Sequence, residues 1–345
     1  MSTARVVIKI LLGIVVFLIP CLIPPGTWAQ ILQKNLERPA IVFQAPADYW
    51  DGVKIPEAVL GKKALEDIQV LTSPGFQGRR GGTNGETKTL RYLEKQVRDL
   101  NLRGFGEQGY LQIFEIPVME ERVINGRAHF RPKNNREFTT SANLLAGIPG
   151  QNPKKTLIIS AHYDSLGVYN GVLHPGANDN ASGVGCVLEV MRLLVAEALE
   201  GTRPEVNVVA VFWGAEEMGL LGSKHFVAHP SIPLSSIIGV INCDTLANGQ
   251  TRNFILWSDQ DNFLEKEIKS IASQKKARIV KASRNGHYSD EMSFADSTNI
   301  PAITILSNQW LVRNHTPRDD LNLINEEKLD LASQILYDLI KNIAY

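Results

Sequence analysis

The sequence has few cysteines and no excess of charge of either sign. Its three cysteines are too few for a disulfide scaffold, and no two of them form the CxxC pair of a finger-type zinc site. The 36 Lys and Arg residues balance 36 Asp and Glu residues, so the formal net charge is zero. Because no polybasic surface is implied, binding to nucleic acid is not expected.

Internal repeats, low-complexity runs and linkers are also lacking after residue 58. Hydrophobic residues make up 44% and charged residues 21% of the chain, which is typical of a globular protein with a sizeable core. We therefore expect one compact domain over residues 58–345. Residues 30–57 contain prolines and little periodicity, and we interpret them as an extension lying over that domain.

Residues 1–29 have the pattern of a secretory signal peptide. Two basic residues precede an apolar stretch over residues 10–19, and a small-residue cleavage pattern ends at Ala29. An uncleaved anchor over residues 6–24 is the alternative, and it would attach the protein to a membrane. In either case we expect the rest of the chain to lie outside the cytosol, secreted or periplasmic.

Apolar residues recur at helical spacing in some segments and form short continuous runs in others. Helices are predicted over 58–72, 90–100, 184–199, 263–277 and 326–343, and strands over 110–118, 156–160, 206–213, 236–242 and 301–306. The last four strands are nearly continuous in apolar residues. Buried strands that alternate with helices indicate an α/β fold, with a largely parallel sheet covered on both faces.

Histidines and carboxylates follow these buried strands at the points where the strands end. In open α/β sheets the ligand lies beyond the carboxyl ends of the strands, so these side chains are expected to converge on one rim. A further aspartate lies between the first two of these segments, at the start of a helix. The candidates are His162 and Asp164, Asp179, Glu216 and Glu217, Asp244, and His315.

The set suits a pair of zinc ions. Two ions about 3.5–4 Å apart need one bridging carboxylate and further His or carboxylate ligands on each side. Asp179 is the candidate bridge, with His162 and Asp244 completing one site and Glu217 and His315 the other. Taken singly, each residue has an ordinary structural interpretation, and the prediction depends on their joint placement.

Two carboxylates remain for proton transfer and orientation. Glu216 would lie beside the metal-activated water, where a carboxylate can take a proton during attack on a carbonyl and deliver it to the leaving amine. Asp164 follows His162 by two residues. It could accept a hydrogen bond from the imidazole N–H and fix its tautomer.

The motifs AHYDS, GANDNASG, GAEEMGLLGS, INCD and HTPRDD occur in this order, with GRRGGTNG and SANLLAGIPG upstream. This series resembles the zinc aminopeptidases of metallopeptidase family M twenty-eight, of clan MH, over nearly all of residues 60–345. The resemblance implies the same ligand set, with Glu216 as the general base. It also implies a three-layer α/β/α sandwich around a mixed, mostly parallel sheet, of the zinc aminopeptidase or phosphorylase/hydrolase type.

The function implied by the resemblance is that of a two-zinc aminopeptidase acting on peptides with a free N-terminus. Glutamate carboxypeptidases and glutaminyl cyclases are related, so a one-zinc cyclase is an alternative, as is a non-catalytic ectodomain on the same fold. The chain departs from the family pattern in two places. Ser289-Asp290-Glu291 stands where Ser-Asp-His is usual, and Asn314 rather than tyrosine precedes His315.

Some histidines and cysteines are left outside the predicted cluster. His174, His225 and His229 have no matching neighbours and are predicted to be surface residues. Cys186 and Cys243 are expected to pack as small apolar residues near the site, with a disulfide between them as the alternative.

Overall fold

The computed structural model describes residues 49–50, 62–125, 127–133, 137–259 and 261–345. The signal peptide or anchor predicted over 1–29 lies outside the described residues, as does most of the predicted extension. Of that extension, Tyr49 donates a hydrogen bond from its hydroxyl to the Asn101 carbonyl (3.0 Å), and Trp50 is buried. Within the described ranges, no helix combines the length and the apolar character needed to cross a membrane.

Strands and helices alternate through most of the described chain. The strands are β1 (Arg103–Gly104), β2 (Leu111–Pro117), β3 (Met119–Ile124), β4 (Arg127–Pro132), β5 (Phe138–Ile148), β6 (Thr156–His162), β7 (Gly167–Tyr169), β8 (Val172–His174), β9 (Asn207–Trp213), β10 (Ile237–Cys243), β11 (Asn253–Trp257), β12 (Arg278–Lys281) and β13 (Ala302–Ser307). The helices are α1 (Lys62–Leu71), α2 (Asn84–Asp99), α3 (Ser182–Leu199), α4 (Leu221–Ala228), α5 (Phe263–Gln274), α6 (Glu291–Ser297) and α7 (Glu326–Ala344).

One mixed sheet forms the centre of the described domain. Its strand order is β1-β5-β9-β6-β10-β13-β11-β12, and β2 pairs with β5 as well. The four central strands, β9, β6, β10 and β13, run parallel to one another. Antiparallel pairings add β5 at one side and β11 at the other. The predicted strands over 156–160, 206–213, 236–242 and 301–306 are thereby confirmed.

Helices cover both faces of this sheet. On one face, Leu157 and Phe212 join a large apolar cluster with residues of α1, α3, α5 and α7. On the other face, the Trp213 ring packs against Phe226 of α4 and Phe294 of α6, with centroid distances of 5.4 and 6.0 Å. Adjacent residues of β9 therefore face opposite layers, and every residue of that strand is buried. The result is the predicted three-layer α/β/α sandwich.

The closing helix α7 has a defined amino-terminal cap. The Asn325 side chain accepts a hydrogen bond from the Lys328 N–H at 3.1 Å. We expect Asn325→Ala to lower the free energy of unfolding by about 0.5–2 kcal/mol, because a first-turn N–H loses its partner. Urea denaturation measures the change. The matched control is Asn342→Ala, which changes an exposed asparagine of the same helix. Equal losses of unfolding free energy in the two variants would contradict the capping role of Asn325.

Candidate metal centre

The topology brings five chain segments to one rim of the sheet. Strand β6 ends at His162. Its parallel neighbours β9 and β10 end just before Glu216 and Asp244, so these three side chains leave the sheet at the same edge. The loop after β13 carries His315 back to that edge. The segment before α3 contributes Asp179.

Two groups of metal-ligand atoms form at this rim. His162, Asp179 and Asp244 make the first group, and Asp179, Glu217 and His315 make the second. Within each group the ligand atoms lie within 4.8 Å of one another. All five residues that the sequence predicted as ligands therefore lie together, and Asp179 is the member that the two groups share.

The carboxylate of Asp179 faces both histidines. Its Oδ1 lies 3.2 Å from His162 Nε2, and its Oδ2 lies 3.4 Å from His315 Nε2. Asp244 Oδ1 is 3.6 Å from His162 Nε2, and Glu217 Oε2 is 3.0 Å from His315 Nε2. Each histidine thus has the Asp179 carboxylate and one further carboxylate beside its ring nitrogen.

Glu216 belongs to neither group of ligand atoms but lies beside them. Its Oε2 is 3.9 Å from His162 Nε2. The backbone N–H groups of Glu216 and Glu217 donate to the two carboxylate oxygens of Asp164, at 3.0 and 3.3 Å. His162 Nδ1 lies 3.3 Å from the Asp164 carbonyl oxygen and 3.7 Å from its Oδ1. Asp164 therefore contacts both the imidazole and the backbone of the Glu216 loop.

A second buried carboxylate supports the Asp179 loop in the same way. The N–H groups of Asn178 and Asp179 donate to Oδ1 and Oδ2 of Asp319, at 2.8 and 2.9 Å. Asp319 is buried, and burial raises its pKa to about 7. The sequence reasoning did not assign Asp319 a role, although it lies within the HTPRDD motif.

A fully buried arginine also lies beneath the rim and was not predicted. Arg79 donates to the carbonyl oxygens of Leu71, Tyr163, Pro175 and Gly176, at 2.7–2.9 Å. Burial lowers its pKa to about 10, an effect that nearby carboxylates oppose, so the group is charged at neutral pH. The Arg79 guanidinium thereby connects the backbone segment just before Asp164 to the segment just before Asp179.

The excess of carboxylates governs protonation at the rim. Burial alone would lower the pKa of His162, but the charge of Glu216 and hydrogen bonds to neighbouring carboxylates raise it well above the usual value. Burial raises the pKa of Glu216 well above its usual value, and the charge of His162 opposes that rise. Such a group of acids and imidazoles is the environment that a cation would stabilise.

The two segments that depart from the family pattern both contact the cluster. In the first, the departing residue Glu291 is buried and pairs with Arg284 at 2.8 Å, and it is the nearby Ser289 that contacts a candidate ligand. Ser289 donates from its hydroxyl to Asp244 Oδ2 at 2.7 Å. The Asn314 side-chain amide donates to Asp179 Oδ2. The Asn314 side chain is buried. Both residues therefore support candidate ligands, a role that the sequence did not indicate.

The prediction of a surface position is wrong for His174, which is 5% exposed. It lines a narrow cleft with Asp179, Glu217 and His315, because the hairpin formed by β7 and β8 folds its segment against the rim. Cys186 and Cys243 are both buried and both free, so the alternative of a disulfide between them is not realised.

The fold and the rim define a class of protein. These are α/β proteins with a mixed sheet, whose parallel central strands carry a buried histidine–carboxylate cluster suited to divalent metal at their carboxyl ends. The family model for peptidase family M28 matches residues 143–340, more than half of the chain. The chain belongs to peptidase family M28.

Similar proteins support this membership. The chain is 36% identical over 132 residues to leupeptin-inactivating enzyme 1 of Streptomyces exfoliatus, covering 38% of this chain and 28% of that protein. It is 29% identical over 252 residues to the aminopeptidase YwaD of Bacillus subtilis strain 168, covering 66% and 52%. The chain thus matches only about a quarter to a half of the length of these relatives.

Solved structures share the fold at low sequence identity. A zinc aminopeptidase from Bacillus subtilis superposes with a TM-score of 0.67 at 18% identity, over 84% of this chain and 96% of that one. An aminopeptidase from Aneurinibacillus sp. strain AM-1 gives a TM-score of 0.66 at 18% identity, over 84% and 95%. At this identity the likeness establishes the architecture, an α/β sandwich shared with these proteins.

Proposed function

We propose that this protein is a metallo-aminopeptidase that removes N-terminal residues from peptides, with a two-zinc centre and Glu216 as general base. The observation that carries the proposal is the pair of ligand groups that share Asp179. Membership of peptidase family M28 and the names of the relatives, aminopeptidases among them, support it.

The ligand atoms fit zinc in chemistry and in number. Zinc prefers imidazole nitrogen and carboxylate oxygen, and each group offers one histidine and two carboxylates, which leaves room for water or substrate. Glu217 Oε1 and Asp244 Oδ1 are buried without a hydrogen-bond partner. Buried oxygens of this kind are costly unless a cation or a donor satisfies them. Asp179, the residue that both groups share, would help to hold both ions.

Bound zinc would polarise the scissile carbonyl and acidify a water molecule. The chain's own residues would do the rest. The position of Glu216 is fixed by the hydrogen bond from its backbone N–H to Asp164. Its carboxylate takes a proton from the water while the water oxygen attacks the carbonyl carbon. When the C–N bond breaks, Glu216 returns that proton to the leaving amine. A carboxylate that binds no metal is free to carry the proton in both steps.

We also propose an extracytoplasmic location, supported by the signal-like pattern over residues 1–29. In this proposal any attachment to a membrane is made by the N-terminal segment alone. Sequencing the N-terminus of the secreted or membrane-extracted protein separates the two alternatives, cleavage after Ala29 or an uncleaved anchor.

The test of the proposed activity pairs a hydrolysis screen with metal analysis. We expect peptides with a free N-terminus to be hydrolysed and their N-acetylated counterparts to resist. We also expect about two zinc ions per chain, because the two ligand groups need one each. Asp179→Ala removes the shared ligand and is expected to lower zinc content and activity together, whereas Asp320→Ala, outside both groups, should change neither.

The alternatives give different results in the same experiment. A glutaminyl cyclase would bind about one zinc per chain and cyclise N-terminal glutamine without hydrolysing peptides. A non-catalytic ectodomain would hydrolyse no peptide under any metal condition. Either result would overturn the proposed aminopeptidase.

A further inference from the structure

The β3–β4 hairpin lies apart from the main sheet and is attached near the rim by Arg80. The Arg80 guanidinium donates to the Met119 carbonyl at 3.1 Å and pairs with Glu121. It also lies over the Phe130 ring, 5.1 Å from the centroid. These contacts fix both strands of the hairpin to the loop that follows Arg79.

The other end of the hairpin reaches the loop that carries His315. Arg127 donates from Nη2 to the Leu311 carbonyl at 3.2 Å. The His129 ring meets the His315 ring edge-on, with centroids 6.2 Å apart. His129 therefore borders a histidine of the candidate metal centre, and Arg127 contacts the loop that carries that histidine.

Arg127 differs from the other arginines of the hairpin in having no carboxylate partner. Arg122 and Arg131 both pair with Glu120. No carboxylate lies within 4.0 Å of the Arg127 guanidinium in the part of the chain that the structure describes. One of its five N–H donors is used by a carbonyl, so several remain for another group.

Aromatic rings lie next to Leu311, the residue whose carbonyl accepts the hydrogen bond of Arg127. His287 lies edge-on to Trp310, with centroids 4.7 Å apart. Burial lowers the pKa of His129 and of His287, and the charges of Arg127 and His315 lower each further. Arg127 and His129 are two residues apart on β4, so their side chains leave the same face of the strand.

We propose that Arg127, on the same face of β4 as His129, binds a carboxylate group of the substrate. An arginine without an acidic partner recognises carboxylate by paired N–H donors, which lysine does not match. The inference rests on the proposed function, since it places this subsite beside the centre where the peptide bond would be cleaved.

The carboxylate can have two sources. A dipeptide spans only about 7 Å between its ends, so its C-terminal carboxylate stays close to the centre that cleaves it. The subsite would then select peptides of two or three residues. An acidic side chain on the substrate offers the same group, and the subsite would then select that side chain.

Matched substrates separate these sources. One pair is Leu-Ala and its C-terminal amide, and the other is Glu-Ala amide and Gln-Ala amide. We expect the protein to prefer the carboxylate member of one pair by about 10- to 100-fold in kcat/KM. Arg127→Gln should abolish that preference by slowing the carboxylate member and leaving the amide unchanged. The substrate pair whose preference is lost in the Arg127→Gln protein identifies the source of the carboxylate.

Arg122→Gln is the matched control, because it removes an arginine of the same hairpin that already has a carboxylate partner. It should leave both preferences intact. The proposal is overturned if the protein prefers neither carboxylate, or if Arg127→Gln slows acid and amide by the same factor.

Binding measurements separate failure of the subsite from failure of the proposed function. Calorimetric titration of Glu216→Gln protein with the same four compounds needs no turnover. A carboxylate preference that depends on Arg127 would support the subsite even if no peptide is hydrolysed. Equal affinities for acid and amide would overturn the proposed subsite. Cleavage of the peptide bond in the dipeptide amides by the unaltered protein would still support the aminopeptidase.

Discussion

Glu216→Gln protein is expected to keep its fold and its zinc while kcat falls by about 10²- to 10⁴-fold. Glutamine has the shape of glutamate but cannot accept the proton of the attacking water. The backbone N–H of residue 216 would still donate to Asp164, so the loop should stay in place. Steady-state kinetics with a peptide substrate and metal analysis of the same sample measure both quantities.

Glu217→Gln is the matched control, because it makes the same chemical change one residue further along the loop. Glu217 belongs to the second ligand group and Glu216 to neither. The control should therefore lower zinc content, which the Glu216 variant should not. If Glu216→Gln retains both its zinc and its full turnover, Glu216 is not the general base.

Arg79→Met is expected to lower the free energy of unfolding by about 3–5 kcal/mol, the range found when one partner of a buried charge network is removed. The substitution leaves four backbone carbonyl oxygens without the donor they now have. It also removes positive charge next to Asp319 and Asp164. Urea denaturation of the zinc-free protein reports stability without a contribution from metal.

Arg79→Lys keeps the charge but can satisfy fewer of the four carbonyls, so an intermediate loss of stability is expected. Should the methionine variant fail to fold, this variant still tests the role of the guanidinium. Arg91→Met changes an exposed arginine and should alter stability by less than about 0.5 kcal/mol. Losses of similar size at positions 79 and 91 would argue against a buried cation that joins the loops.

The central strands were predictable because they are buried on both faces. All residues of β6 and β9 are buried, which produces the continuous apolar runs seen in the sequence. The outer strands β11 and β12 have apolar runs of only four and two residues, and the β3–β4 hairpin is largely polar, so they were not predicted. Strand β5 was also missed, since its first three residues are not buried and polar residues interrupt its apolar ones.

The ligand cluster was predictable for a different reason. Histidine and carboxylate side chains at strand ends are chemically distinctive, and the parallel topology determines that the ends meet. Arg79 and Asp319 were missed because they bind backbone atoms, carbonyls in one case and N–H groups in the other. Backbone N–H and carbonyl groups are common to nearly all residue types, so no pattern of residue types reveals such contacts.

The binding of main-chain N–H groups by Asp164 and Asp319 has a consequence for how this rim can change. The paths of the Glu216 and Asp179 loops are fixed by groups that every residue type except proline possesses. New side chains can therefore be exchanged at 179, 216 and 217 while the scaffold beneath them persists. Evolution or a protein engineer could in this way retune metal preference, or install different chemistry, without redesigning the architecture.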